Sequence, residues 1–90
     1  MKDGDIGHFA RSLAGHDKGE IFIILSEQAG IALVADGKGR SLETPKRKNK
    51  KHLQVIRHTV DVELHEKLES GHPVRNEDIK RAIKLYCASE

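Results

Sequence analysis

Short apolar segments separated by glycine turns constrain the fold of this chain most. Residues 21–25 read Ile-Phe-Ile-Ile-Leu and residues 31–35 read Ile-Ala-Leu-Val-Ala. Runs of this length, rich in β-branched side chains, are typical of strands that are buried on both faces. Only residues 26–30 separate the two runs, whereas a parallel crossover needs a dozen or more residues. We therefore expect an antiparallel meander.

Three further segments complete the predicted sheet. Residues 6–13 are expected to form the first strand and residues 53–56 the last. Residues 40–44 alternate in polarity and predict a fourth strand, which Pro45 ends because proline cannot donate to a strand ladder. Five short strands with closely spaced turns indicate a mainly β fold, either a small barrel or a strongly bent sheet.

Two of the predicted turns have distinctive residues. Gly15 and Gly19 flank the first turn and permit a positive φ, which other L-residues avoid. Asp17 between them can fix the turn by bonding to nearby backbone. Asp36-Gly37 is a strong hairpin signal and predicts a tight turn after the third strand.

The last third of the chain has helical periodicity. Residues 61–70 predict a short helix that ends at Gly71, and Asn76 is expected to be the N-cap of a second helix. The second helix is indicated by an apolar stripe at Ile79, Ala82, Ile83 and Tyr86. We therefore divide the chain into a barrel domain, residues 1–57, and a helical tail, residues 58–90, which packs on the barrel or on a partner.

A basic run between the predicted fourth and fifth strands is the strongest functional signal. Residues 1–60 carry 11 Lys and Arg against 7 Asp and Glu, whereas residues 61–90 carry 5 against 7. Closely spaced cations can neutralise phosphates and release counterions, so a nucleic acid is one candidate partner; a merely solvated loop is the other reading. The basic residues of the run are Lys46, Arg47, Lys48, Lys50 and Lys51.

Several classes of activity find no support in the sequence. The six histidines are scattered without close metal-ligand spacing, and the single cysteine, Cys87, cannot form an internal disulfide. Catalytic motifs such as a nucleophile elbow or His-Glu-x-x-His are missing. We therefore expect no enzyme, no metal and no cofactor. The polar opening of the chain and the lack of a long apolar run predict a cytoplasmic protein that does not enter a membrane.

Several ordered segments of the chain resemble one known family. Residues 6–7, 12–22, 34–40 and 42–53 together are similar to the KOW motif of small bacterial RNA-binding proteins, which are related to the fourteenth large-subunit ribosomal protein of archaea and eukaryotes. The resemblance spans about residues 5–57. It implies an SH3-like β-barrel and RNA or ribosome binding without catalysis. The implied partners are ribosomal RNA of the large subunit and ribosomal proteins.

The resemblance and the charge pattern give one set of candidate RNA contacts. A histidine, His16, stands where the family leads us to expect arginine, which makes binding at that position sensitive to pH. The alternative function is a protein-interaction adaptor that uses the barrel and the amphipathic helix. The candidate RNA-binding residues are Arg11, His16, Lys18, Lys38, Arg40, Lys46, Arg47, Lys48, Lys50, Lys51 and His52, and the candidate turn-shaping residues are Gly15, Asp17, Gly19 and Gly37.

Overall fold

Five strands and two helices follow one another in the computed structural model, which describes residues 5–90. The polar opening, residues 1–4, lies outside the described residues. The strands are β1 (Phe9–Ser12), β2 (Ile21–Gln28), β3 (Ile31–Ala35), β4 (Lys46–Asn49) and β5 (Leu53–Ile56), and the helices are α1 (Val62–Ser70) and α2 (Asn76–Ser89). A single 3-10 turn, Lys50–His52, joins β4 to β5.

The strands form one antiparallel sheet in the order β4-β3-β2-β1-β5. The predicted meander is confirmed for β1 to β4, and β5 returns to pair with β1. Within residues 5–90, β4 and β5 are the two edges and do not pair with each other. The mainly β, five-stranded fold is thus confirmed, and its sheet is open and not closed by a continuous strand ladder.

The predicted fourth strand at residues 40–44 is wrong. The Asp36 carboxylate accepts the backbone N–H groups of Lys38 and Arg40 at 2.8 and 2.9 Å, which folds this segment into a loop. A tight turn does follow β3, because the Asp36 and Gly37 N–H groups donate to the Arg40 carbonyl at 2.8 and 3.1 Å. The chain then continues as a loop to residue 45 before the next strand begins. Pro45 precedes the true strand, β4, and does not end one, so the basic run is not the loop that we expected. It is an edge strand followed by a 3-10 turn.

Two apolar clusters lie on the two faces of the sheet. The first includes residues of both helices, whereas every residue of the second lies in a strand. The first strand is shorter than predicted, because Leu13 lies outside it and is 45% exposed. The helix-side cluster contains Phe9, Ile21, Ile23, Ala35, Ile56, Leu64, Ile79, Ala82 and Tyr86. The opposite cluster contains Ala10, Phe22, Ile24, Ala32, Val34 and Leu53.

The helices begin and end for local reasons. Asp61 caps α1 by accepting the N–H of Leu64 at 3.1 Å, and Gly71 ends it in the left-handed region at φ +77°, as predicted. Asn76 is not the N-cap of α2, because Arg75 takes that position. The Asn76 side chain instead accepts the N–H of Leu42 at 2.8 Å and so ties α2 to the loop before β4. No helix among residues 5–90 is long and apolar enough to cross a bilayer.

Candidate nucleic-acid interface

Strand alternation divides the basic run into two sets of cations. Lys46 and Lys48 lie opposite Val34 and Ala32 in the β3–β4 register, and directly opposed residues share one face of a sheet. Their side chains therefore lie on the face of the sheet that carries the second cluster, and Lys48 is only 8% exposed. Arg47, on the other face, is exposed. The run is not one continuous basic surface.

Asp17 binds the two lysines that share this face. The Lys46 Nζ donates to Asp17 Oδ2 at 2.7 Å, and the Lys48 Nζ donates to Oδ1 at 2.8 Å. Ser12 Oγ also donates to Oδ1, at 2.7 Å. Burial alone would raise the pKa of the Asp17 carboxyl, but these hydrogen bonds hold its pKa well below the usual range. Asp17 thus fastens the first turn to β4.

A second ion-pair cluster holds the next lysine of the run. The Lys50 Nζ donates to Asp5 Oδ2 at 2.6 Å and to Glu27 Oε1 at 2.8 Å. Hydrogen bonds to Asp5 and then Glu27 raise the pKa of Lys50, so it stays charged. Arg57 donates to the same Asp5 carboxylate at 3.0 Å. Three of the predicted phosphate contacts, Lys46, Lys48 and Lys50, are therefore already paired with carboxylates of the chain.

The remaining cations of the run face solvent. Arg47, Lys51 and His52 are exposed, and within residues 5–90 neither Arg47 nor Lys51 makes an ion pair. His16 and Arg40 are exposed as well, at the first turn and in the loop before β4. These five side chains are accessible to a phosphate but do not converge on one concave site.

A groove of about 1120 Å³ does bring cations together. It lies between α2 on one side and the first turn and the β3–β4 loop on the other. Lys18 and Lys38, two of the candidate RNA contacts, both line it. The helix adds cations that the sequence analysis missed, namely Lys80, Arg81 and Lys84. Among the described residues, Lys18, Lys38, Lys80 and Lys84 form no ion pair with any carboxylate.

Glycine allows the loop to approach α2 closely enough to form this groove. Gly37 has φ +80°, and a Cβ there would lie 2.5 Å from the Asn76 carbonyl oxygen and 3.0 Å from the Lys80 nitrogen. Gly15 and Gly19, the two glycines that flank the first turn, also have positive φ values, +90° and +91°. Only glycine lets Lys38 lie beside the first turns of α2.

The first turn itself offers little backbone to a phosphate. Its N–H groups at Lys18, Gly19 and Glu20 donate to carbonyls of the same hairpin at 2.8 to 3.2 Å. Arg11, another predicted contact, lines the groove, but its Nη2 donates to Glu90 Oε2 at 2.6 Å. The cationic lining therefore depends mainly on lysine side chains.

A spacing signal could have identified the helical cations. Lys80 and Lys84 are four residues apart and therefore lie on one side of α2. The stripe formed by Ile79, Ala82 and Tyr86 is buried against the sheet, which leaves Lys80 and Lys84 exposed. The apolar stripe that predicts the helix therefore also indicates that these two lysines lie outside the core.

Other kinds of site find no counterpart in the described part of the chain. Residues 5–90 contain no group of three or more His, Cys, Asp or Glu that could hold a metal ion. A scan against protein-family models and a search of curated proteins return no match for this chain. The functional conclusion therefore depends on the groove.

Proposed function

We propose that this chain is a cytoplasmic, non-catalytic RNA-binding protein and that the groove is its main RNA contact. One observation carries the proposal: Lys18, Lys38, Lys80 and Lys84 converge from three elements and stay without carboxylate partners among residues 5–90. Lysine is a mobile point charge that suits phosphate, and unpaired cations release counterions when phosphate replaces solvent. Arg47 and Lys51 add positive charge at the sheet edge.

The proposed fold family is the SH3-like KOW type. Two observations support a strongly curved sheet: β5 returns to the free side of β1, and a second cluster around Phe22 and Ile24 is buried without help from the helices. A strongly curved sheet is the arrangement that the sequence resemblance implies. The same resemblance makes ribosomal RNA of the large subunit the first partner to test.

The alternative, a protein-interaction adaptor, loses its main surface. The apolar stripe that was to dock a partner is used inside the chain, because Ile79 is 0% and Tyr86 8% exposed. No second function is proposed.

The proposal predicts which cations control RNA affinity. Lys80→Gln and Lys84→Gln should each weaken RNA binding and reduce the log–log salt slope by about 0.7 to 0.9, because each removes one phosphate contact. Fluorescence anisotropy with structured RNA at several salt concentrations measures both quantities. Both lysines are exposed, so the variants should fold normally.

Lys67→Gln is the matched control. Lys67 also lies on a helix, but on α1 and outside the groove. It should leave the salt slope unchanged. Equal losses in all three variants would indicate a diffuse electrostatic effect and contradict the groove as the binding site.

UV crosslinking in cells, followed by sequencing of the attached RNA, identifies the bound RNA. We expect the reads to fall on large-subunit ribosomal RNA.

A further inference from the structure

The groove is not lined by cations alone. Glu20 reaches it from the first turn and Glu77 from the first turn of α2. Both side chains are exposed, and neither forms a hydrogen bond or an ion pair with residues 5–90. Two of the four carboxylates that line the groove thus stand among the lysines without a partner in residues 5–90. The other two, Asp36 and Glu90, are already bonded to backbone N–H groups and to Arg11. A ligand that matches this lining must carry negative charge and also offer hydrogen-bond donors.

A track of phosphates alone does not match the lining. Each carboxylate repels a phosphate that lies near it, so a duplex, which presents mainly its phosphates to a protein surface, gains nothing from Glu20 and Glu77. An unpaired nucleotide differs, because its base edge is open to hydrogen bonding. Base edges with an amino group donate to carboxylates, as cytosine N4 does to Glu or Asp.

The shape of the groove also favours an unpaired nucleotide. A concave site of about 1120 Å³ is comparable to or larger than the pockets that hold small organic ligands. Ile83 and the edge of Ile21 contribute apolar surface between the charged side chains. A planar base can lie against such a surface while its phosphates remain at the lysines.

Aromatic stacking is not the means of recognition here. Phe9, Phe22 and Tyr86 are 3%, 2% and 8% exposed, and the Tyr86 ring stacks on Phe9 inside the core. The chain contains no other Phe, Tyr or Trp. Without a stacking platform, which tolerates any base, discrimination between bases would come from hydrogen bonds.

We propose that the groove holds an unpaired nucleotide of the bound RNA, with its phosphates on the lysines and the amino group of its base on Glu20 or Glu77. The inference rests on the proposed RNA-binding function and adds a substrate class to it. It means that single-stranded loops, bulges or ends are bound in preference to a continuous duplex, and that bases with an exocyclic amino group are preferred.

Oligocytidylate and oligouridylate of one length provide the test, because cytosine presents the N4 amino group where uracil presents the O4 acceptor, while both carry the same phosphates. The intact chain should bind oligocytidylate about fivefold more tightly, the low end for a base contact of this kind in a solvent-exposed site. In the double variant Glu20→Gln/Glu77→Gln, both affinities should rise as negative charge is lost. The ratio should fall towards one, because glutamine also donates to the uracil O4 atom.

The double variant Glu63→Gln/Glu66→Gln is the matched control. It removes the same charge from α1, outside the groove, and should leave the ratio near fivefold. A ratio of one in the intact chain, or an unchanged ratio in Glu20→Gln/Glu77→Gln, overturns the inference. If Lys80→Gln still weakens duplex RNA in that case, the proposed function stands without it. If neither oligonucleotide nor duplex binds, the proposed function itself fails.

Discussion

At the scale of single residues, Asp17 holds the first turn against β4 through its ion pairs with Lys46 and Lys48. Its side chain is 14% exposed and that of Lys48 8% exposed. Removing one partner of a buried pair leaves the other charge uncompensated, so Asp17→Asn should lower the free energy of unfolding by about 3 kcal/mol at neutral pH. Chemical denaturation followed by circular dichroism measures this loss.

The same pair predicts how stability depends on pH. The folded pKa of Asp17 lies below its ordinary value of 3.8, so below about that pH the unfolded chain binds more protons than the folded chain. Stability should therefore be fully present above that value and fall as the pH drops towards the folded pKa. Asp17→Asn should lose less stability over the same pH range, because it lacks this carboxyl. Some loss should remain, because the pKa of Asp5 is also lowered.

Glu66→Gln provides the comparison, because Glu66 is exposed on α1. It should leave both the neutral stability and the acid profile unchanged. Parallel acid profiles for the intact chain and Asp17→Asn would contradict a stabilising pair.

The sequence could not reveal this pair, because Lys46 and Lys48 lie 29 and 31 residues from the carboxylate that they bind. A run of like charge shows which residues are basic but not which are already paired with a carboxylate.

At the scale of elements, the wrong position predicted for the fourth strand explains why the basic run was expected to be a loop. β2 and β3 were predictable because their apolar residues mark both faces. β4 reads Lys-Arg-Lys-Asn and has no apolar periodicity at all. A fourth antiparallel strand at residues 40–44 would place the start of the basic run at the end of the sheet opposite the first turn. In the structure β4 begins at the end that carries the first turn, so Lys46 reaches Asp17.

The contact between the β3–β4 loop and α2 gives a prediction at this scale. Gly37→Ala should destabilise the chain by about 1–3 kcal/mol, because alanine is strained at φ +80° and its Cβ would meet the Asn76 carbonyl. The groove should open as the loop moves away, so RNA affinity should fall as well. Thermal unfolding and anisotropy measure the two effects.

Gly39→Ala is the control within the same loop. Gly39 has no positive φ, and a Cβ there would meet nothing within 4 Å. Stability and RNA affinity should both stay near those of the intact chain. If Gly37→Ala lowers stability but leaves RNA affinity unchanged, Lys38 does not contribute to binding.

At the scale of the whole molecule, the sheet and the helices share one core. Phe9 and Ile23 of the sheet lie in the same cluster as Leu64 of α1 and Ile79 of α2. The sequence indicated both helices and the apolar stripe of α2, but it left open whether that stripe meets this sheet or a partner. Periodicity identifies a face to be buried and does not name the surface that buries it.

A shared core predicts that the chain unfolds as one unit. Ile79 is fully buried, so Ile79→Ala should cost about 3–4 kcal/mol and destabilise the sheet together with α2. The single tyrosine, Tyr86, reports on α2 by fluorescence, and amide exchange at β2 and β3 reports on the sheet. Both probes should shift by the same free energy.

Leu85→Ala is the control. This site is 60% exposed, so the substitution should change the free energy reported by either probe by no more than about 0.5 kcal/mol. If Tyr86 responds to Ile79→Ala while the strands keep their protection, residues 5–57 fold independently of the helices, and an isolated fragment should then form the same sheet.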